Sequence, residues 1–270
     1  MKTINFTKMT ASGNDFVIID NTKLPAVRNP QVFAKKICDR QYGVGADGLL
    51  ILEKSKIADF RMRIINADGT EAEMCGNGAR CAALYAKENS ISADQMRIDT
   101  LAGNIEAKVL GDKIRLKMSE PKDFDLDFAI TIEGKNYRTS FVNTGVPHAV
   151  IFVEHLDSWD VRRLGKTIRF HKRFAPTGAN VDFVEVKKTN FIKVRTYERG
   201  VENETLACGT GVVASAIISS ISKRLKSPIT CLTKGGKKLK VYFKRTGRDF
   251  QDLFLEGDAK VVFKGEYFLE

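Results

Sequence analysis

The strongest constraint on this chain is that it is written twice. Cys75-Gly76-Asn77-Gly78 recurs 133 residues later as Cys208-Gly209-Thr210-Gly211. The same offset carries "GADGLLILE" (45–53) onto "GANVDFVEV" (178–186), and Thr100 and Gly103 onto Thr233 and Gly236. Gly13 maps onto Gly145 at 132, and "RMRIINADG" (61–69) onto "IKVRTYERG" (192–200) at 131, leaving two extra residues before the second cysteine. Twice the main offset nearly exhausts the 270 residues. Two similar domains are therefore expected, residues 1–125 and 126–270, with a C-terminal tail that can cross between them.

Each half has the same expected order of elements. A strand (16–20; 149–153) precedes a helix (30–40; 158–169), then come a second strand (48–53; 181–186) and a third (60–65; 191–197). A turn at Asp68-Gly69, or Arg199-Gly200, leads to the cysteine box. The helices that follow, "ARCAALYAKE" and "VVASAIISSISKRL", are apolar on nearly every side and should be buried at the centre of their domains. Residues 95–120 and 228–265 alternate apolar and polar side chains, as hairpins do. The fold class expected is α+β. Two homologous domains would be related by a pseudo-twofold axis, each a mixed sheet wrapped around a central helix, with the active site in the cleft that the two helix N-termini face.

Composition removes several function classes. The net charge is +11, but the basic residues are spread along the chain. The densest cluster, "KGGKKLKVYFKR" (234–245), alternates like the outer face of a strand, so no nucleic-acid partner is expected. No apolar run is long enough to span a membrane, and "MKTINFTKMT" lacks a signal peptide's apolar stretch, which makes a cytoplasmic location the expectation. The five cysteines are an odd number, and no two show the two-residue gap of a zinc knuckle; reduced thiols and no metal are expected. There is neither a dinucleotide fingerprint nor a P-loop, and no cofactor is expected.

A cysteine at the entry to a helix meets outward-pointing backbone N–H groups and the positive end of the helix dipole, both of which favour a thiolate. The same N–H groups can cradle a carboxylate, and the glycines let the backbone approach it closely. Two such turns facing one another would hold a carboxylate from both sides, with one sulfur on each face of the adjacent carbon. That arrangement suits inversion at a carbon α to a carboxylate. One thiolate removes the proton, the other thiol returns one to the opposite face, and the N–H donors stabilise the charge that develops. Cys75 and Cys208 are the candidates because they hold the same place in two diverged repeats; Cys38, Cys81 and Cys231 read as small buried hydrophobes.

The stretches "SGNDFVIID", "INADGTEAEMCGNGARC", "GANVDF" and "VRTYERGVENETLACGTG" resemble the diaminopimelate epimerase family, in order and over essentially the whole chain. The resemblance implies a cofactor-independent isomerase that interconverts LL- and meso-diaminopimelate in lysine and peptidoglycan precursor synthesis, and a homodimer. It implies Cys75 and Cys208 as the catalytic pair, with Gly76, Asn77, Gly209 and Thr210 as donors to the carboxylate at the reacting carbon. Asn14, Asn66, Asn180 and Arg199 match positions that hold the far amino-acid end, where amides and one guanidinium suit a second carboxylate. Glu198, also a substrate-side residue, and His148 match a pair that tunes the thiols. One departure stands out. Many members read Gly-Asn-Pro-His where this chain has Gly145-Val146-Pro147-His148, and Val146 cannot donate the asparagine's hydrogen bond; Asn143 or a water is the candidate replacement. The nearest rivals are a proline or hydroxyproline racemase on the same fold, disfavoured by Asn66, Asn180 and Glu198-Arg199, and a redox protein with a reversible Cys75–Cys208 disulfide.

Overall fold

The computed structural model describes residues 2–23 and 27–269. The chain packs as two compact units, Met1–Lys117 with Gly257–Glu270, and Met118–Glu256. The first unit contains β1 (Lys2–Ala11), β2 (Asn14–Asp20), α1 (Pro30–Ile37), β3 (Gly48–Glu53), β4 (Phe60–Asn66), β5 (Glu71–Ala72), α2 (Gly76–Glu88), β6 (Gln95–Thr100), β7 (Gly103–Leu110) and β8 (Lys113–Lys117). The second contains β9 (Lys122–Ile132), β10 (Lys135–Asn143), β11 (Pro147–Phe152), α3 (Val161–Arg169), β12 (Asn180–Lys188), β13 (Phe191–Glu198), β14 (Asn203–Glu204), α4 (Gly209–Ser222), β15 (Ile229–Leu232) and β16 (Lys238–Thr246). β17 (Asp249–Asp258) runs out of it, and β18 (Lys260–Leu269) belongs to the first unit.

Strand pairing repeats between the units. In the first, β18, β1 and β2 are antiparallel, β2 and β3 parallel, β3 and β4 antiparallel, β4 and β6 parallel, and β6, β7 and β8 antiparallel. In the second, the same senses run through β9, β10, β11, β12, β13, β15, β16 and β17. This is the expected α+β architecture of a mixed sheet around a central helix. α2 packs on every strand from β1 to β4 and from β6 to β8, while α4 packs on β10 to β13, β15 and β16. α1 and α3 cover the outer face, α1 on β3 and β4, α3 on β12 and β13.

Alternation along the strands divides the core by face. Val17, Ile19, Leu49, Ile51 and Ile65 pack with Phe33 and Ile37 of α1. Leu50 points the other way, towards Gly78 of α2. In the second unit Val181, Phe183 and Tyr197 pack with Leu164 and Ile168 of α3, whereas Val184, Ile192 and Val194 pack with Val213 and Ile217 of α4.

Two helices are shorter than their sequence patterns suggest. α1 stops at Ile37 because the chain turns back onto its last carbonyls, with Val44 N and Gly45 N donating to Ile37 O at 2.9 and 3.1 Å. α3 starts at Val161 because the Asp160 side chain caps it, accepting from Arg163 N at 3.0 Å, after a separate 3₁₀ turn over Leu156–Ser158.

α3 sits so close to β13 that a Cβ on Gly165 would lie 2.4 Å from Tyr197 Cβ. Gly165→Ala is expected to force α3 away from the sheet and to destabilise the protein by about 2 kcal/mol, a typical overpacking cost. Urea denaturation followed by circular dichroism measures it; an unchanged midpoint would show that the helix can shift freely.

Candidate active site

The cysteine of each box is the N-cap of the central helix. Cys75 has extended backbone (φ −143°, ψ 118°), and its sulfur accepts from Gly78 N at 3.5 Å. Cys208 has φ −110° and ψ 114°, and its sulfur lies 3.5 Å from Thr210 Oγ1. The usual capping residues offer an oxygen at this place; here Cys75 offers a sulfur, while Cys208 holds the cap position by its backbone. The two glycines of each box have different tasks. A Cβ on Gly76 would meet no other atom within 4 Å, while one on Gly78 would touch Leu50 and one on Gly211 would lie 2.4 Å from Asp182 Oδ1. In the first unit, then, the first glycine leaves the helix end open, and in both the second seats the helix on the sheet.

In the first unit the polar residues form one connected chain. Asn77 Nδ2 donates to Asn14 Oδ1 at 2.6 Å, and Asn14 Nδ2 donates to Asp47 Oδ2 at 2.9 Å. Arg40 Nη2 bridges Asp47 and Asp15 at 2.8 Å each, and Lys8 Nζ lies 2.7 Å from Asp15 and donates to the Gly45 carbonyl. On the other side, Arg80 Nη2 donates to Asn77 Oδ1 at 2.6 Å and to Ser12 Oγ at 2.9 Å. Asn14 and Asn77 are thereby brought together. Asn66, exposed at the end of β4, donates to Thr70 Oγ1 at 3.0 Å within its own turn.

In the second unit His148 and Asp182 are both fully buried, with Nδ1 and Oδ2 2.7 Å apart, and Thr196 Oγ1 donates to Asp182 Oδ1 at 2.7 Å. His148 Nε2 lies 3.4 Å from Asn180 Nδ2, and Asn180 Oδ1 accepts from Arg199 N at 2.7 Å. The Arg199 side chain reaches the Thr177 carbonyl at 3.4 Å. Thr205 Oγ1 donates to Glu198 Oε1 at 2.5 Å, and Thr144 Oγ1 donates to the Thr210 carbonyl at 3.2 Å. Asn143 donates to Asp123 at 3.2 Å and accepts from Gly145 N at 3.1 Å.

Burial first, then the negative charges of Glu198 and Asp182, push the Cys208 thiol well above the ordinary value, against hydrogen bonds from Thr210 and Gly211 N–H. Burial likewise raises the Glu198 carboxyl, with Thr205, His148 and Cys208 pulling partly back. Cys38, Cys81 and Cys231 are buried and their thiols are pushed up by desolvation, Cys38 to about 12. They are the inert packing residues the sequence suggested.

Several supporting residues escaped the sequence reading, among them Asp182, Thr205, Arg80 and the Asp15–Arg40–Asp47 cluster. One device was visible in principle because it repeats. Arg63 on β4 forks onto Glu71 of β5 at 2.7 and 2.9 Å, and Arg195 on β13 forks onto Glu204 of β14 at 2.6 and 2.8 Å. In each unit a bidentate pair fixes the short strand that delivers the chain to its cysteine.

Solved structures share this architecture. A phenazine biosynthesis protein of the PhzF family from Bacillus anthracis superposes with a TM-score of 0.77 at 19% identity, covering all of both chains. A probable proline racemase from Agrobacterium radiobacter K84 gives 0.71 at 14% identity, covering 99% of this chain and 93% of that one. These likenesses define the class of α+β fold to which the chain belongs. Within that class the sequence is more specific. The diaminopimelate epimerase family model matches residues 6–123 and 140–262. The diaminopimelate epimerase of Aquifex aeolicus (strain VF5) is 42% identical over 97% of both chains, and that of Methanocella arvoryzae is 41% identical over 98% of this chain and 97% of its own. The chain belongs to the diaminopimelate epimerase family, and it is an isomerase.

Arg40 and Lys8 hold the Asp15 carboxyl down at about 2, although burial opposes ionisation there. A lowered folded value means that the contribution to stability is complete above an ordinary carboxylate's range and is lost as pH falls towards 2. Asp15→Asn is expected to cost roughly 1–2 kcal/mol at pH 7. The gap from wild type in urea melts should narrow below about pH 4; a gap independent of pH would rule out the ion pairs as its source.

Proposed function

We propose that the chain interconverts LL- and meso-diaminopimelate by proton transfer between two thiols and the substrate α-carbon. The observation that carries this is the N-cap position of a cysteine on both central helices. One cysteine, as thiolate, takes the α-proton and leaves the electron pair delocalised into the carboxylate. The other, as thiol, gives a proton to the opposite face, so each turnover leaves the proton count unchanged and exchanges the roles of the two sulfurs.

Backbone N–H groups of Gly76, Asn77, Gly209 and Thr210 hold the carboxylate and stabilise the charge that builds on it. Among these, Gly76 is open on its Cβ side, which leaves room for a ligand against the backbone. Asn14, Asn66, Asn180 and Arg199 bind the distal amino-acid end, Arg199 by its two-pronged guanidinium. Glu198 and His148 set the state of Cys208, Glu198 directly and His148 through its contacts with Asn180 and Asp182. Asn143 is held by Asp123 and Gly145, so Val146 leaves that edge of the distal site with one donor fewer. The reaction needs only groups the chain itself supplies.

The proposed setting is lysine and peptidoglycan precursor synthesis in the cytoplasm; among the described residues no helix is long and apolar enough to cross a membrane. A homodimer is proposed as the working form. Exposed Val262, Phe263 and Phe268 on β18 support it, since apolar side chains along a strand invite cover.

Proton NMR in D2O tests the substrate and the chemistry together. LL-diaminopimelate should lose its α-proton signal, with meso product appearing; deuteration of proline in its place would overturn the substrate. Cys75→Ala and Cys208→Ala should each lower turnover by at least about 10³-fold, within the range for an essential acid or base, while the fold is retained. Substantial turnover in either variant would sink the two-thiol reading. Arg199→Lys should raise KM about tenfold with a smaller effect on kcat, because the fork is lost; steady-state kinetics separate the two.

A further inference from the structure

The two units can be superposed position by position through their strand pairing. Phe16 pairs with Gly48 as His148 pairs with Asn180, which aligns the strands at an offset of 132. Leu50 then corresponds to Asp182, and Ile64 to Thr196. The glycines agree, since Gly78 rests on Leu50 where Gly211 rests on Asp182 and Thr196. On the helices the capping cysteines set the offset at 133, and Arg80 corresponds to Val213. The polar groups of the two units thus differ in place and in sign. Beneath α4 lie the buried Asp182 and His148, and Glu198 stands at its cysteine; beneath α2 the matching residues are apolar, and the helix itself carries a buried arginine.

Resting on the two-thiol reading, we infer that Arg80 is a positioning residue of the Cys75 half of the site: it fixes Asn77 at the helix end and supplies the positive charge that lets Cys75 rest as thiolate while Cys208 rests as thiol.

Arg80 is fully buried one turn into α2. Its Nη2 holds Asn77 Oδ1 and Ser12 Oγ, and its Nε donates to the Asp258 carbonyl at 3.3 Å. Nη1 has no hydrogen-bond partner, and no carboxylate lies within ion-pair distance of the guanidinium among the described residues. A buried cation without a counter-ion is costly, so nearby negative charge is favoured. Burial lowers the Arg80 value, and negative charge on Cys81, Cys75 and Asp258, in that order, opposes the shift. Burial pushes Cys81 far up, so it stays neutral. Cys75 and Asp258 are thus the groups left to balance the guanidinium, and Cys75 caps the same helix that carries it.

The strands packed on α2 turn mostly apolar side chains to it. β2, β3 and β4 turn Ile18, Leu50 and Ile64 to the helix, and the buried side chains of β6, β7 and β8 are apolar apart from Thr100. Lys8 on β1 is committed to Asp15 and the Gly45 carbonyl. At the other helix end, Glu198 and Asp182 both disfavour a second anion on Cys208. Like charges near one sulfur and an opposite charge near the other divide acid from base before substrate arrives.

Alkylation by iodoacetamide across pH, read by peptide mass spectrometry, tests this on the intact chain without substrate. Cys75 is measured in Cys208→Ala, and Cys208 in Cys75→Ala. The midpoint for Cys75 should lie at least about one pH unit below that for Cys208, a tenfold difference in thiolate fraction at neutral pH. Adding Arg80→Met should move the Cys75 midpoint up by about one unit or more, whereas Arg80→Lys should keep it low. In the otherwise wild-type chain, Arg80→Lys should raise KM more than it lowers kcat, because Asn77 loses its anchor. Equal or reversed midpoints for the two thiols would overturn the inference even if Arg80→Met does not fold; an unmoved Cys75 midpoint in folded Arg80→Met would do the same. If both single alanine variants are inactive and the thiol order fails, the two-thiol function stands and only the role of Arg80 falls. Active alanine variants would remove the function itself.

Discussion

A helix with almost no polar face has to be enclosed, and enclosing it on all sides determines most of this structure. Ten of the fourteen residues of α4 are buried, and Val213, Ala214, Ala216, Ile217 and Ile218 expose none of their surface. No flat sheet can cover such a helix, so the strands curl round it and only its ends meet solvent or substrate. Its N-terminus, with first-turn N–H groups unpaired, therefore becomes the natural place for chemistry. The second glycine of each box, Gly78 or Gly211, follows from the same demand, because the sheet lies too close there for a side chain.

Much of this was legible in the sequence. The repeat, the element order, the all-round apolar helices and the placement of a cysteine at each helix start could be read from periodicity and from two matching tetrapeptides. The register could not. Aligned by letters, the second strands match at 133 and the third strands at 131, yet pairing places both at 132. A slip of one residue moves every side chain to the opposite face of a sheet. At the letter offset Asp182 falls opposite Leu49, on the outer face with α1; in the structure it falls opposite Leu50, under the central helix. Identity of Gly, Ala and Asp or Asn in the loop before the strand drew the alignment one residue off, and so the carboxylate beneath Cys208 went unnoticed.

The supporting shell was hidden for a different reason. Arg80 sits in a helix that reads as pure packing, and a single arginine there carries no periodic signal. Its meaning comes from what surrounds it, namely an amide one turn back on its own helix and a hydroxyl and a carbonyl from two distant segments. The Arg63–Glu71 and Arg195–Glu204 forks differ in this respect, since each repeats the other and could have been found by asking which charges recur in both halves. Divergence between the halves has spared the forks, which hold the backbone, and has altered the residues around the sulfurs.

The strand β18 adds a consequence for how the molecule is made. It pairs along its length with β1, so residues as distant in sequence as Thr10 and Lys260 lie side by side in the same unit. The second unit is continuous, Met118–Glu256, and all its strands are available once that stretch has left the ribosome. The first unit, although its strands from β1 to β8 are synthesised first, keeps an open sheet edge at β1 until β18 emerges. The interval before β18 arrives leaves the β1 edge unpaired, and an open strand edge is the kind of surface that pairs with the wrong partner.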